Sequence, residues 1–312
     1  MITVATYHRT VPNAKNQEKI DVLKFFSQGV AVAGDRAVDI DTTDYSPTSV
    51  AVIQGWVTAG GGKAHLQLRN VVITQQLQAK KHVVAIDSNL FLYANRENPL
   101  HYLRYSFDGI FPTTGIYCDT DTDPQRWATI SSRLNIGLKD YRTAGSHILL
   151  CLQRNGGWSM GDYNVQQWVL DTVGQLRKHT DRPIVIRPHP GDKAAQQYLD
   201  PANPQCRIPY SGRLKLSTNS LLIDDLKNCW AAVNYNSSPV VGAAIEGYPI
   251  FVTDPIKSQC REIANTDLAL IETPTLPDRQ AWVNRLAMSH WSFDELMSGQ
   301  CWHHMRRYIN VV

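Results

Sequence analysis

The chain alternates short β-branched runs with longer stretches of mixed periodicity. Residues 1–7, 29–33, 49–53 and 82–86 form continuous apolar runs too short for helices, which predicts strands buried on both faces. Between the last two, residues 63–80 have helical propensity. A second series follows: a strand at 146–152, a glycine-rich loop, a helix near 164–179, strands at 183–186 and 230–234, a helix from about 238 to 246, and a strand at 249–252. From about 278 onward the chain reads as helical. Strand and helix in alternation predict a parallel α/β half on each side of the polar stretch 139–145.

Parallel strands deliver their chemistry at the carboxyl edge of the sheet, so the loops after the strands hold the candidates. Arg187-Pro188-His189-Pro190 follows the run 183–186, and Asn236-Ser237-Ser238-Pro239 follows the run 230–234. An Arg, a His and a helix start with Ser237 and Ser238 suit a diphosphate or a nucleoside monophosphate. A lone His-Pro is equally a loop residue, and Ser-Ser-Pro is equally a bare helix start. The loop Gln153-Arg154-Asn155-Gly156 also follows a strand, and its glycine allows close backbone approach to a ligand.

Length and composition narrow the class. A chain of 312 residues fits about two domains of ~150 residues. Their expected bounds are 1–142, 143–285 and a C-terminal helical segment 286–312 packing back on the first. No run approaches a membrane span, and the N-terminus lacks the basic and apolar regions of a secretion signal, so the cytoplasm is the expected location and no stable membrane insertion is expected. The six cysteines form no C-x-x-C pair, which supports neither a zinc site nor a disulfide framework, and no metal is expected. Net charge is +3, far from the charge density of a dedicated nucleic-acid binder. Lys80, Lys81, Arg69, Arg104, Arg306 and Arg307 are scattered, as solvated surface residues usually are. Trp282, Trp291 and Trp302 read as core.

Several motifs carry a family resemblance. Gly55-Trp56, then Gly62-Lys63-Ala64, then Asp87-Ser88-Asn89-Leu90-Phe91-Leu92, then Gly115-Ile116-Tyr117-Cys118-Asp119 resemble, in order and spacing, a motif series of bacterial capsular-polysaccharide Kdo transferases. Arg187-Pro188-His189-Pro190 resembles that family's His-Pro motif, and Asn236-Ser237 with Gly247-Tyr248-Pro249-Ile250 resembles its Thr-Ser and Gly-Lys-Pro-Val motifs. The resemblance spans roughly residues 52–255. The chain departs from it at the family's acidic pair, reduced to Asp87, and at its helix Glu, which falls on Gly242 while Glu246 reads as a solvent-facing helix residue.

The resemblance implies a GT-B-like α/β fold: two Rossmann-like domains facing a cleft, with C-terminal helices crossing back. It also implies a glycosyltransferase that uses a CMP- or UDP-linked sugar as co-substrate, with no further cofactor. Such chemistry needs a base near the acceptor hydroxyl and donors on the departing phosphate. Asp87, at a strand end, is the candidate base, with Asp108 and Asp119 as alternatives, and capping is the competing role for Asp87. Arg187, His189, Ser237 and Ser238 are the candidate phosphate ligands. The acceptor is a saccharide or, because compact forms resemble bacteriophage enzymes, a hydroxymethylated pyrimidine in DNA. A sugar-nucleotide epimerase and a catalytically silent nucleotide- or glycan-binding module are the other readings of the same fold.

Overall fold

The computed structural model describes all residues except 12–16, 58–61, 94–97, 99, 162 and 310–312. The last of these belong to the expected C-terminal segment. Two compact units make up the chain: Met1–Asn89 with Glu97–Ala128 and Asn284–Val312, and Leu90–Arg96 with Thr129–Val283. Each is a Rossmann-like α/β layer structure.

In chain order the first unit begins β1 (Thr3–Tyr7), α1 (Gln17–Val32), β2 (Arg36–Ile40), β3 (Val50–Gln54), α2 (Ala64–Gln78), β4 (His82–Asp87) and β5 (Leu103–Phe107), followed by α3 (Pro124–Leu134). The second unit holds β6 (His147–Cys151), α4 (Val165–Leu176), β7 (Ile184–Arg187), α5 (Ala195–Leu199), β8 (Leu214–Leu216), α6 (Leu222–Leu226), β9 (Cys229–Asn234), α7 (Pro239–Ile245) and β10 (Ile250–Val252). The chain closes with α8 (Gln280–Met288), β11 (His290–Trp291), α9 (Phe293–Met297) and α10 (Gln300–Met305).

Sheet order in the first unit is β11-β5-β4-β3-β1-β2. β1 to β4 run parallel, as the alternation of elements predicts, but β5 runs antiparallel between β4 and β11, so this half is not purely parallel. Val50 and Val52 of β3 pack with Phe26 of α1 and Trp302 of α10, while Ala51 and Ile53 pack with Leu68 and Val72 of α2. The strand is apolar on both faces because helices cover both. In the second unit the order is β10-β9-β6-β7-β8, all parallel, around one core that includes Ile148, Trp168, Ile186, Val233 and Phe251.

One expected strand is a helix. Residues 29–33 form the last turns of α1, whose buried Val22, Leu23, Phe26 and Val30 recur at helical spacing. Val32, in the middle of the apolar run, is 61% exposed, as no residue of a strand buried on both faces is. The neighbouring strand is instead β2, an edge strand whose exposed Arg36 and Asp39 hide it from an apolar-run reading.

Candidate functional site

The second sheet grows outward from β6 in both directions, with β7 and β8 on one side and β9 and β10 on the other. A crevice at the carboxyl ends of β6 and β9 follows from that reversal. The loops after these strands are tied together there. Buried Gln153 donates through Nε2 to Asn236 Oδ1 (2.7 Å) and Ser159 Oγ (2.8 Å), and its Oε1 accepts the Asn236 N–H (3.2 Å). Asn236 Nδ2 reaches Asp254 Oδ2 in the loop after β10 at 2.9 Å. Gln153 is thus spent on holding the edge in shape.

Asp192 joins the loops after β6 and β7. Its Oδ2 accepts the Asn155 N–H (2.9 Å) and the Tyr198 hydroxyl, and its Oδ1 accepts the Ala194 N–H (3.0 Å). Asn155 Oδ1 in turn receives the Val165 N–H at the start of α4 (3.2 Å). Gly156 (φ +67°) and Gly157 turn the chain back, the Gly157 N–H meeting the Arg154 carbonyl at 3.1 Å.

Two donors stay open on this frame. Nδ1 of His189 accepts the Gly191 N–H at 3.0 Å, which leaves the proton of the neutral ring on Nε2. Burial holds the His189 pKa below the ordinary imidazole value, with the Arg154 charge adding to the effect and Asp192 opposing it. The bond from the Asn155 N–H to Asp192 draws the loop that carries Arg154 against the loop that carries His189. Arg154 is exposed, and among the described residues neither its guanidinium nor His189 Nε2 has a hydrogen-bond partner.

Arg187 is different. It is buried, pairs with Asp225, and donates to the carbonyls of Ser220 (3.0 Å), Asn219 (3.2 Å) and Leu221 (3.2 Å). Placed at the end of a strand rather than beyond it, its guanidinium is turned to internal partners instead of the crevice expected from the sequence. At the start of α7, Asn234 Nδ2 donates to Ser237 Oγ at 2.9 Å, which leaves the Ser237 proton free to be donated. Exposed Ser238 is the N-cap without a side-chain cap bond, ahead of Pro239.

In the first unit the candidates gather at the carboxyl ends of β3 and β4. Asp87 is the last residue of β4, and the antiparallel register of β5 sets Arg104 opposite it. Arg104 pairs with Asp87 Oδ2, while Oδ1 makes no hydrogen bond among the described residues. Arg104 is 4% exposed and stands 5.7 Å from the Tyr117 ring. Arg69, from α2, donates to the Thr10 carbonyl (2.9 and 2.7 Å) and to Gln54 Oε1 (3.1 Å). Burial brings its pKa down to about 10, and the Asp87 charge opposes the fall. Gly55, with φ +79°, lets the backbone pass beside that guanidinium, where any side chain would collide with it.

The alternatives to Asp87 separate. Because β5 runs antiparallel, Asp108 emerges at the amino edge of β4, the wrong edge for a base acting with Asp87's neighbours. There its Oδ1 accepts the Val83 N–H (2.8 Å) and its Oδ2 meets His82 Nδ1 (2.8 Å), a structural pair. Asp119 is half-buried beyond Tyr117, and burial raises its carboxyl pKa. Two further expectations change: Arg69 and Arg104 are buried rather than solvated, and Glu246 is buried against Lys139 and the Tyr93 hydroxyl (3.1 Å) rather than solvent-facing.

Asp192, Asn236 and Arg104 carry roles the sequence did not disclose. Asp192 sits in a Pro-Gly-Asp turn three residues after His189, a local signal that marks the loop. Nothing local marks Arg104, which acts only through the pairing of β4 with β5.

No protein-family model and no curated protein sequence matches the chain. Among solved structures it is similar to the β-Kdo 2,7-transferase of KpsC from Thermosulfurimonas dismutans, at 14% identity over 96% of this chain and 98% of that one, with a TM-score of 0.49. The β-Kdo 2,4-transferase of the same protein is similar at 12% identity over 87% and 89%, with a TM-score of 0.48. The UDP-GlcNAc 2-epimerase of Methanocaldococcus jannaschii, solved with UDP-GlcNAc and UDP, is similar at 9% identity over 98% and 99%, with a TM-score of 0.38.

Proposed function

We propose that the chain is a nucleotide-sugar-dependent glycosyltransferase. The observation that carries this reading is the pair of unengaged donors at the carboxyl edge of the second sheet, the Arg154 guanidinium and His189 Nε2–H, on loops fixed by Gln153 and Asp192. A departing nucleotide phosphate gains negative charge as the bond from the anomeric carbon to its oxygen breaks, and a cation with a fixed N–H donor stabilises it. Ser237 and Ser238 add hydroxyl donors. Arg187 supports these loops instead of touching phosphate.

On the first unit, Asp87 Oδ1 accepts the proton of the attacking acceptor hydroxyl, and Arg104 keeps the carboxylate oriented. The donor is CMP- or UDP-linked, with no metal required in this reading. A saccharide acceptor is favoured over hydroxymethylated DNA, because burial of Arg69 and Arg104 removes two of the cations that a phosphate backbone would need.

Incubation with mixed CMP- and UDP-sugars and either capsular oligosaccharide or hydroxymethylated duplex DNA, with products weighed by mass spectrometry, tests this. Sugar addition to the oligosaccharide is expected. Addition to the DNA alone would reverse the acceptor, and release of a free epimer without transfer would replace transferase by epimerase.

A further inference from the structure

A cavity of about 560 Å³ opens at the carboxyl ends of β1 and β2, beside the first turns of α1, away from Asp87 on the far side of β3. His8, directly after β1, lines it and pairs through Nε2 with Asp39 Oδ1 at 2.8 Å. The Thr6 hydroxyl donates to the same oxygen at 2.6 Å. Burial raises the Asp39 pKa, but hydrogen bonds from Thr6, His8 and Ser27 outweigh it and hold the carboxyl below its ordinary value. An ionised Asp39 fixes the imidazole proton on Nε2 and leaves the Nδ1 lone pair without a partner among the described residues. The remaining charged lining is Arg9 and Lys24 against Asp41, with Ile20 beside them. Two cations face two carboxylates, so the cavity favours no net charge. Arg9 pairs with Asp41 at 2.9 Å, so the lining combines a neutralised ion pair, the Lys24 donor and the His8 Nδ1 acceptor, which suits an uncharged ligand whose groups both donate and accept.

We propose that this cavity is a saccharide-binding site in which one ligand hydroxyl donates to His8 Nδ1. A volume of this size lies in the usual range for small-ligand sites. The identity of the ligand as the acceptor rests on the transferase reading, while binding itself does not.

His8→Gln is the informative variant, since its amide nitrogen reproduces the donor to Asp39 and the Nδ1 acceptor is lost. The full chain is applied to an array of defined oligosaccharides, and the strongest wild-type hit is titrated by calorimetry. The expected result is a glycan bound by the wild type, at least tenfold weaker binding by His8→Gln, and unchanged affinity of both proteins for UDP and CMP. Equal glycan affinity in a folded variant, or no array glycan bound by the wild type, overturns the site. If His8→Gln does not fold, carbethoxylation of wild-type His8 by diethyl pyrocarbonate decides: protection by the bound glycan supports the site and absence of protection overturns it. Failure here leaves nucleotide binding in the second unit untouched, so the two readings fall separately.

Discussion

At the scale of single residues, the phosphate assignment rests on which donors have nothing else to hold. His189→Ala and Arg154→Ala are each expected to weaken UDP or CMP binding about tenfold, ~1.4 kcal/mol, in calorimetry with no loss of fold. Arg187→Ala is expected to lower the melting temperature instead, because it leaves Asp225 buried without its cation. His189 is neutral near pH 7, and protonation below its lowered pKa adds a charge facing phosphate. Nucleotide affinity should therefore rise as the pH falls below about 6.5, the unperturbed imidazole value, with proton uptake on binding visible as a buffer-dependent heat. At the other site, Asp87→Asn keeps the hydrogen bond to Arg104 but removes the basic oxygen. Turnover is expected to drop ~100-fold, about 2.7 kcal/mol, with nucleotide affinity unchanged.

At the scale of elements, the C-terminal helices pack on α1 through a glycine. A methyl group at Gly29 would land on the carbonyl of Leu296 in α9, backbone that cannot swing aside. Gly29→Ala is expected to destabilise the protein by about 1–3 kcal/mol in urea denaturation. The same glycine opens the apolar run 29–33, which reads as a strand by its unbroken hydrophobicity. The helix is legible only once the period is followed back to Val22 and Phe26. Four strands of the second unit, β6, β7, β9 and β10, were readable as short apolar runs, whereas the edge strand β8 with Lys215, and β2 and β5 with Arg36, Asp39 and Arg104, were not.

At the scale of the whole molecule, acid should cost stability through histidines that folding keeps neutral. His290 of β11 is fully buried, and burial, with Arg104 and Arg126 nearby, brings its pKa to about 3, while its bond to the Leu286 carbonyl opposes the fall. Its folded pKa lies below the unfolded value near 6.5, so the unfolded chain takes up the proton first and stability falls as the pH drops from about 6.5 toward 3. The expected slope is about 1.4 kcal/mol per pH unit from this residue, read by urea denaturation between pH 7 and 5, and it should flatten in His290→Gln. Salt provides a second test at this scale: a saccharide acceptor predicts affinity nearly independent of salt, and a DNA acceptor predicts a log–log slope near −0.9 per phosphate contacted.

The sequence by itself determined the α/β class and the strand ends and loops that carry His189, Arg154 and Asp87, because these follow from local periodicity and turn chemistry. It also named the aromatic core: Trp282, Trp291 and Trp302 are all buried. Only the tertiary structure decided which charges are available. Arg187 and Arg154 are both arginines in loops or strand ends of one half, yet Asp225 and three carbonyls, 32 to 38 residues away along the chain, take the first, and among the described residues nothing takes the guanidinium of the second. Asp87 and Arg104 meet because strand pairing sets them side by side, and His8 reaches Asp39 because the register of β1 on β2 sets Thr6, two residues before it, opposite that aspartate. Hydrogen-bond partners of this kind are fixed by register and burial over long separations, and a linear pattern carries no record of them.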